Sequence, residues 1–378
     1  MEVSCDIQLT DQRRLARERP FICMTPARQK RNLGLGSLAM SSTWNQLRAT
    51  VPASFLAALG LGAGFLVFVA WDQSHWWRIK EDYSFGWLVP FFVAFVVYDR
   101  WPRISAALAA CAAPGSPRAS GVGRWVLRVL VGGVLTVGVL MFLLGAFYRA
   151  GAGTSQPGTL ALTLGAVGIL LPLLFLNAPE PVAADGSPLP RPDAAGAVSL
   201  FHDARVRLAA LFLFPTLVWL VSAPMVSAVE TQVNLLLLRR VVVVVAFVFD
   251  MLGIAIEQQG NVLALPNGNV GVEDACSGIR SLTGCLFAGS FLAAVFLDSL
   301  PRKIALVTSA LLLAFLTNLA RSLFLTAWAY QYGPHAIEGT VHDVAGYAVL
   351  GLTVVSLLCL LPLFNLRFND DASDAKSA

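Results

Sequence analysis

Long apolar segments separated by short polar ones are the feature that most restricts the fold of this chain. Runs such as Trp125–Phe147 and Gly158–Asn177 are close to or above the ~18 residues that indicate a membrane-spanning helix. Charged residues make up only 13% of the chain, against ~25% in a soluble domain. The runs are apolar on every face and do not alternate, which favours helices over membrane strands. The sequence therefore predicts an all-α polytopic membrane protein.

Eight transmembrane helices are predicted from these runs. Their approximate bounds are 51–70, 86–98, 125–147, 158–177, 206–223, 279–297, 304–321 and 343–363. The second is short for a span. A further apolar stretch, Val241–Ile256, follows two arginines and contains Asp250, which favours a small outer helix at the interface over a ninth span.

The distribution of Lys and Arg predicts the orientation of the helices. Basic residues concentrate before the first span and in the segments after the even-numbered spans, which places those segments and both termini in the cytoplasm. No nucleic-acid-binding motif is found, and no nucleic-acid partner is expected. The predicted organisation is a basic cytoplasmic extension that could lack fixed structure (1–50, with Met24 and Met40 as alternative starts), a membrane domain (51–365) and a cytoplasmic tail (366–378).

The segment 224–275 is the sizeable outer segment and begins the part of the chain expected to carry chemistry, 224–365. It contains Pro266–Asn269, "PNGN", which predicts a tight turn between two short strands. The predicted β-hairpin leads directly into Cys276.

Three residues of complementary chemistry are predicted at one membrane face. Cys276 opens the sixth span, Arg321 ends the seventh, and His342 opens the eighth. A thiolate can attack a carbonyl carbon, a histidine can take and give a proton near neutral pH, and an arginine can stabilise the negative charge that develops. This combination is what thiol-based acyl transfer requires.

Two nearby residues are predicted to assist this set. A thiol has a pKa of ~8.5, and a helix amino terminus or a nearby arginine favours the thiolate. Arg280 lies one turn after Cys276 and can supply that charge, although Glu273 and Asp274 oppose it unless they are paired. Asn318 shares a helix face with Arg321, and could either hold it in place or form a helix-packing hydrogen bond. Thr340 is predicted to cap the eighth span, with Asp343 reaching back to it.

Other residues of the same types were weighed against this set. His75 and His335 also lie in outer segments, so either could replace His342 on topology alone. Cys276 is the outer cysteine, so no outer disulfide is expected, and Cys285 is half a turn out of phase with it. No cofactor and no metal site are expected, and His-Glu-x-x-His is absent from the sequence.

Four motifs resemble the exosortase/archaeosortase family. They are "EDYSFGWLVPFF" (Glu81–Phe92), "VEDACSGIRSL" (Val272–Leu282), "NLAR" (Asn318–Arg321) and "HDVAG" (His342–Gly346). The resemblance covers roughly residues 75–365. In the first motif the family usually carries a histidine where this chain has Phe85.

The resemblance implies an activity and a substrate class. The family is thought to cleave exported proteins near a short motif (Pro-Glu-Pro in bacteria) that precedes a transmembrane helix and a basic cluster. It implies Cys276 as nucleophile, Arg321 as charge stabiliser and His342 as acid or base. It also implies the cytoplasmic (inner) membrane, an outer active site, contact with lipid, and an exopolysaccharide locus in bacterial relatives. Hydrolysis and transfer to an acceptor both stay open, as does the acceptor.

A different class of protein is the main alternative. In a polytopic transporter or an envelope-assembly protein, Cys276 would be a packing residue. A transporter should carry charges near mid-membrane or broken helices in matched halves, and no internal repeat is found in the sequence.

Overall fold

The computed structural model describes residues 51–119, 121–181, 200–271, 278–297 and 299–365. The predictions for 1–50, for 366–378 and for Cys276 lie outside these residues. Ten α-helices occur in the described residues: α1 (Ala53–Ile79), α2 (Val89–Asp99), α3 (Trp101–Ala112), α4 (Gly121–Ala152), α5 (Gln156–Leu176), α6 (Ala204–Ser222), α7 (Ser227–Met251), α8 (Ile279–Phe296), α9 (Leu300–Tyr332) and α10 (Thr340–Asn365). A short 3-10 helix, Glu81–Leu88, follows α1.

Eight of the described helices are long and apolar enough to cross a membrane, which confirms the predicted class and number. Seven of them coincide with predicted spans. The eighth is α7, which contains most of the stretch Val241–Ile256 that was predicted to lie at the interface. The predicted second span is wrong as a single helix, because its α2 has only 11 residues.

The short α2 continues into α3 after a break at Arg100. The two helices together run back along α1, since Val89 and Val96 of α2 share a cluster with Val69, and Ile104 of α3 shares one with Phe55. Two 11- to 12-residue helices end to end reach ~35 Å at 1.5 Å per residue, enough to cross a bilayer core. Hydropathy therefore detects only the more apolar half of this crossing.

Arg100 is buried at this break and binds two backbone carbonyl groups. Its guanidinium donates to the oxygens of Leu211 on α6 and Ala294 on α8, both at 2.8 Å. Pro215 lies four residues after Leu211 and has no N–H, so the Leu211 carbonyl loses its intrahelical donor. Ala294 lies in the last turn of α8, where carbonyls also lack intrahelical donors. Arg100 thus joins three helices by satisfying acceptors that their own helices leave open.

Glycines bring α4 and α5 into backbone contact. A Cβ added to Gly138 would lie 2.6 Å from the carbonyl carbon of Gly168, and one added to Gly165 would lie 2.4 Å from the nitrogen of Phe142. Such small residues allow membrane helices to pack at short distance. This pair forms a closely packed hairpin beside α1 and α6.

The predicted hairpin is confirmed and has one additional strand. β1 (Glu257–Gln259), β2 (Val262–Leu265) and β3 (Gly268–Gly271) form an antiparallel sheet in that order. Leu265 pairs with Gly268, so Pro266 and Asn267 form the two-residue turn.

Helix α7 packs against this sheet and against the end of α9. Val242 and Val245 of α7 share a cluster with Leu263 of β2 and with Leu325 and Ala329 of α9. Phe315 and Leu319, which precede Arg321 on α9, also pack against this cluster. Helix α7 therefore contacts both the sheet and α9, and its length and composition would allow it to span.

One end of the bundle carries a network of buried polar side chains. We call it the site end: α1, α4 and α6 finish there, and α5, α8 and α10 begin there. Gln73 of α1 donates to the Thr163 hydroxyl of α5 at 2.8 Å and accepts from the Ser222 hydroxyl of α6 at 2.8 Å. Lys80 forms an ion pair of 2.7 Å with Glu230 of α7. These bonds fix the ends of the helices around the candidate site.

Candidate active site

Arg321 and His342 meet between α9 and α10. Nη2 of Arg321 lies 2.9 Å from Nε2 of His342 and 3.2 Å from the His342 carbonyl oxygen. Both side chains are half-buried. The predicted convergence of these two residues, 21 positions apart in the sequence, is therefore present in the fold.

The contact assigns the proton on the imidazole ring. A guanidinium can only donate hydrogen bonds, so Nε2 of His342 must accept. A hydrogen bond between these two atoms therefore requires the ring form that carries its proton on Nδ1. Arg321 therefore occupies Nε2 of His342, the ring nitrogen that a general base would use to accept a proton.

The first turn of α10 positions His342. The helix begins at Thr340, after Gly339 with a φ of 63°, and the Asp343 N–H donates to the Gly339 carbonyl at 3.1 Å. Thr340 is therefore the first helical residue and Gly339 holds the cap position, so the prediction that Thr340 caps this helix is wrong by one residue. His342 lies in the first turn, as predicted.

Gly346 makes room for the guanidinium. It follows His342 by one helical turn and so lies on the same face of α10. A Cβ at this position would lie 3.4 Å from Nη2 and 3.7 Å from Cζ of Arg321. The missing side chain lets the planar group of Arg321 lie against the backbone of α10.

Asn318 links α9 to the beginning of α8. It is only 3% exposed, and its Nδ2 lies 3.2 Å from where a Cβ of Gly278 would be. The Ser322 hydroxyl donates to its backbone oxygen at 2.9 Å. Among the described residues, its side-chain oxygen has no hydrogen-bond partner. The sequence left open whether Asn318 holds Arg321 in place or packs two helices together. Its position beside Gly278 fits the second role, because it joins the Arg321 helix to the cysteine motif.

Cys276 lies in 272–277, outside the described residues. The predicted sixth span, 279–297, agrees with α8, which begins at Ile279 with Gly278 as its cap; that Cys276 opens this span stays a prediction. Gly278 is thus the described residue of this motif nearest to Cys276 along the chain.

Arg280 binds carboxylates of the 3-10 helix. It forms a close ion pair with Glu81, and its Nε lies 3.4 Å from a side-chain oxygen of Asp82. The hydroxyl of Thr283, one turn into α8, donates to the Asp82 carbonyl at 2.9 Å. These contacts brace the beginning of α8 against the segment that follows α1.

Two titratable residues of the 3-10 helix have shifted pKa values. Burial raises the pKa of Asp82, and the charge of Arg280 opposes that shift. Burial also raises the pKa of Tyr83 to about 12. The Tyr83 hydroxyl oxygen accepts a 3.0 Å hydrogen bond from the backbone N–H of Met225, just before α7.

Phe85 is the position of the first motif at which the resemblance implies a histidine. Its ring lies 5.2 Å from that of Phe287 on α8, and the ring of Phe92 lies edge-on to Phe287 at 5.8 Å. The position therefore contributes an apolar contact to the brace in this chain.

The other histidines make different contacts. His75 lies edge-on to Trp76 at 5.3 Å, and His335 is 97% exposed and 3.5 Å from Glu338. Within the described part of the chain, no group of three or more His, Cys, Asp or Glu is placed to hold a metal ion.

Three contributions were missed by the sequence analysis. Glu81 and Asp82 were quoted as part of a motif without a partner, and Gly346 was quoted without a role. The only sequence signal for them was that each occurs in the same motifs as the predicted site residues.

The fold and the polar pair define a polytopic membrane protein with a candidate enzymatic site at one end of its bundle. A family model described as transmembrane exosortase matches residues 76–359. The chain therefore belongs to the transmembrane exosortase family, a family of sorting-related membrane enzymes that act on sorting-tagged proteins. Searches of curated proteins and of solved structures found no match.

Proposed function

We propose that this chain is a membrane cysteine peptidase or transpeptidase that cleaves carboxyl-terminal sorting signals through a thioester on Cys276. The observation that carries the proposal is the 2.9 Å contact between Arg321 and His342. Asn318, one helical turn before Arg321, lies beside Gly278, with its Nδ2 3.2 Å from where a Cβ of that glycine would be. Two residues of chain span at most ~7 Å. Cys276 is therefore tethered within that reach of Gly278.

The proposed reaction needs only these three side chains. The sulfur of Cys276 attacks the peptide carbonyl carbon, and a C–S bond forms as the carbonyl oxygen becomes negative. The C–N bond then breaks, and the thiol proton leaves with the new amine by way of His342. Water or an acceptor amine then attacks the thioester, which frees the thiol and gives hydrolysis or transfer.

Arg321 has two tasks in this scheme. In the described arrangement it occupies Nε2 of His342, so the ring can accept the thiol proton there only after the guanidinium has moved. A guanidinium displaced from Nε2 is available to the negative oxygen of the tetrahedral intermediate. The arrival of the substrate carbonyl would thus free the base and fill the oxyanion position in one movement.

The proposed location is the cytoplasmic membrane, with the site end facing outward. Several arginines lie at the opposite end, among them Arg103, Arg118 and Arg207. By the positive-inside rule that end is cytoplasmic. The catalytic pair would then face exported proteins.

The test pairs this chain with a tagged secreted reporter that ends in a Pro-Glu-Pro motif, an apolar helix and a basic cluster. Reporter size is followed by gel for the wild type and for Cys276→Ala, Arg321→Ala and His342→Ala at equal membrane abundance. Cys359→Ala is the matched control, because Cys359 is an exposed cysteine remote from the site. We expect shortening with the wild type and the control only.

Two outcomes would contradict the proposal. Shortening by Cys276→Ala would exclude the thiol mechanism. An uncut reporter, together with the absence of any hydroxylamine-sensitive adduct on Cys276 in wild-type cells, would contradict the enzymatic role and favour the transporter or assembly alternative.

A further inference from the structure

A groove between α9 and α10 opens beside the candidate site. Its volume is ≈ 460 Å³, and Arg321 is the charged residue among those that line it. The other lining residues are almost all apolar and come from both helices. The groove therefore runs past Arg321 along a surface that is otherwise almost entirely apolar.

The outer half of the groove is aromatic. Phe324 and Trp328 line it, and Tyr332 continues the row one turn further along α9. The ring centroids are 5.7 Å apart for the first pair and 4.7 Å for the second. Phe324 is 47% exposed and Tyr332 63%, so ring faces of this row remain open to a ligand. Aromatic rows of this kind bind extended, proline-containing segments, because such segments are already ordered before binding.

The inner half of the groove has small side chains. Ala320 of α9 faces Ala345 and Ala348 of α10 there, and Val344 forms part of the wall. Small residues between two helices allow a third helix to approach their backbones closely. One face of α9–α10 therefore offers a helix site on one side of Arg321 and an extended-chain site on the other.

We propose that this groove binds the exported substrate at the point where its apolar helix ends and its extended segment begins. The helix packs on the alanines, the extended segment lies on the aromatic row, and the junction between them passes Arg321. This proposal rests on the proposed function and names the surface that presents the scissile bond. A lipid acyl chain could fill the inner half, but it has neither a junction to place at Arg321 nor an extended segment for the aromatic row.

The test measures binding without chemistry. The reporter described above carries a photoreactive amino acid at the outer end of its helix, and cross-linking is performed in Cys276→Ala membranes, where no cleavage occurs. Cross-linked peptides are mapped by mass spectrometry. We expect cross-links to α9 and α10 around Val344 and Ala348.

Substitutions in the groove separate its two halves. Ala348→Leu should lower the cross-link yield at least fivefold by filling the inner half, and Phe324→Ala with Tyr332→Ala should lower it to a similar extent at the aromatic row. All three positions are exposed, so folding should be retained. Ala327→Leu on α9 and Phe147→Ala on α4 are matched exposed controls outside the groove, and both should leave the yield unchanged.

The outcomes separate this proposal from the proposed function. The proposed role of the groove is contradicted if the cross-links map to other helices, or if Ala348→Leu leaves the yield unchanged. Either result would count even if the wild type cleaves the reporter. Cross-links in the groove, with neither cleavage by the wild type nor a hydroxylamine-sensitive adduct on Cys276, support the groove site and contradict the thiol mechanism. Labelling of the groove by a photoreactive phospholipid in place of the reporter shows a lipid site and overturns the proposal.

Discussion

Gly346 of α10 lies under the guanidinium of Arg321, and the space left by its missing side chain is just large enough for one methyl group. A Cβ there would be 3.4 Å from Nη2 and 3.7 Å from Cζ, which is ordinary van der Waals contact. The glycine therefore limits the size of the side chain at this position without requiring a special backbone conformation.

At position 346, a methyl-sized side chain should be tolerated, and a larger one should lower reporter processing. Gly346→Ala should retain most processing and raise helix stability by up to about 1 kcal/mol, because a methyl group fits beside Arg321. Gly346→Leu should lower processing at least a hundredfold, because its side chain takes the space in which the guanidinium of Arg321 lies and so keeps this group from the proposed oxyanion position. Reporter cleavage and thermal unfolding in detergent measure the two effects. Equal losses for both variants would contradict the contact, and Gly351→Leu, in open space on α10, is the control.

Arg280 should matter more for activity than for stability. Its side chain is 54% exposed and that of Glu81 is 77% exposed, and exposed ion pairs contribute only about 0–1 kcal/mol. Arg280→Gln should thus change the unfolding temperature little. It should lower processing about tenfold, because the beginning of α8, the helix that follows Cys276 in the sequence, loses its brace. Arg280→Lys should recover part of this loss. Arg239→Gln, at an exposed arginine of α7, is the control. A loss of stability without a loss of activity would contradict the expected role of Arg280 in activity.

The raised pKa of Asp82 predicts how Asp82→Asn changes stability with pH. Because burial makes the folded pKa higher than the unfolded value of 3.8, the carboxyl group favours the folded state below the unfolded pKa, and this contribution is lost as pH rises through the folded pKa. A neutral amide avoids that loss. Asp82→Asn should therefore unfold at a higher temperature than the wild type at pH 7, and the difference should close as pH falls below the folded pKa. A lower unfolding temperature at pH 7 would show that attraction by Arg280 outweighs burial.

Arg100 and Pro215 should be energetically coupled. Arg100→Gln leaves the carbonyls of Leu211 and Ala294 without their donor, and each buried unsatisfied group costs ~1–3 kcal/mol. Pro215→Ala restores an N–H that can donate to Leu211. Arg100→Gln should therefore cost about 1 kcal/mol less in the Pro215→Ala background. A double-mutant cycle of unfolding free energies measures the coupling, and a coupling of zero would mean that the Leu211 carbonyl does not depend on Arg100.

The predictable part of the site came from residue types and their order. An arginine at the end of one span and a histidine at the start of the next must lie at one depth, and the structure pairs Arg321 with His342. The partner of Arg280 could not be predicted, because Glu81 is 199 positions away and the nearer acids, Glu273 and Asp274, offered a local alternative. The role of Cys276 stays a prediction.

The fold shows the same division. Apolar runs determined the class and the number of long helices, because a backbone in a bilayer must satisfy its hydrogen bonds within its own helix. The broken second crossing was missed because its continuity depends on Arg100, which binds carbonyls of α6 and α8 far away in the sequence. The place of α7 likewise depends on the sheet and on the end of α9.

The sequence by itself thus determined a polytopic helical protein and the residue types that its motifs bring to one end of the bundle. Hydropathy and motif order are local properties, so they can be read along the chain. Only the tertiary structure decided that His342, and neither His75 nor His335, contacts Arg321. It also decided that Gly346 leaves the space for that contact. The physical reason is that these choices depend on distances of a few ångströms between helices, which the packing of the whole bundle sets.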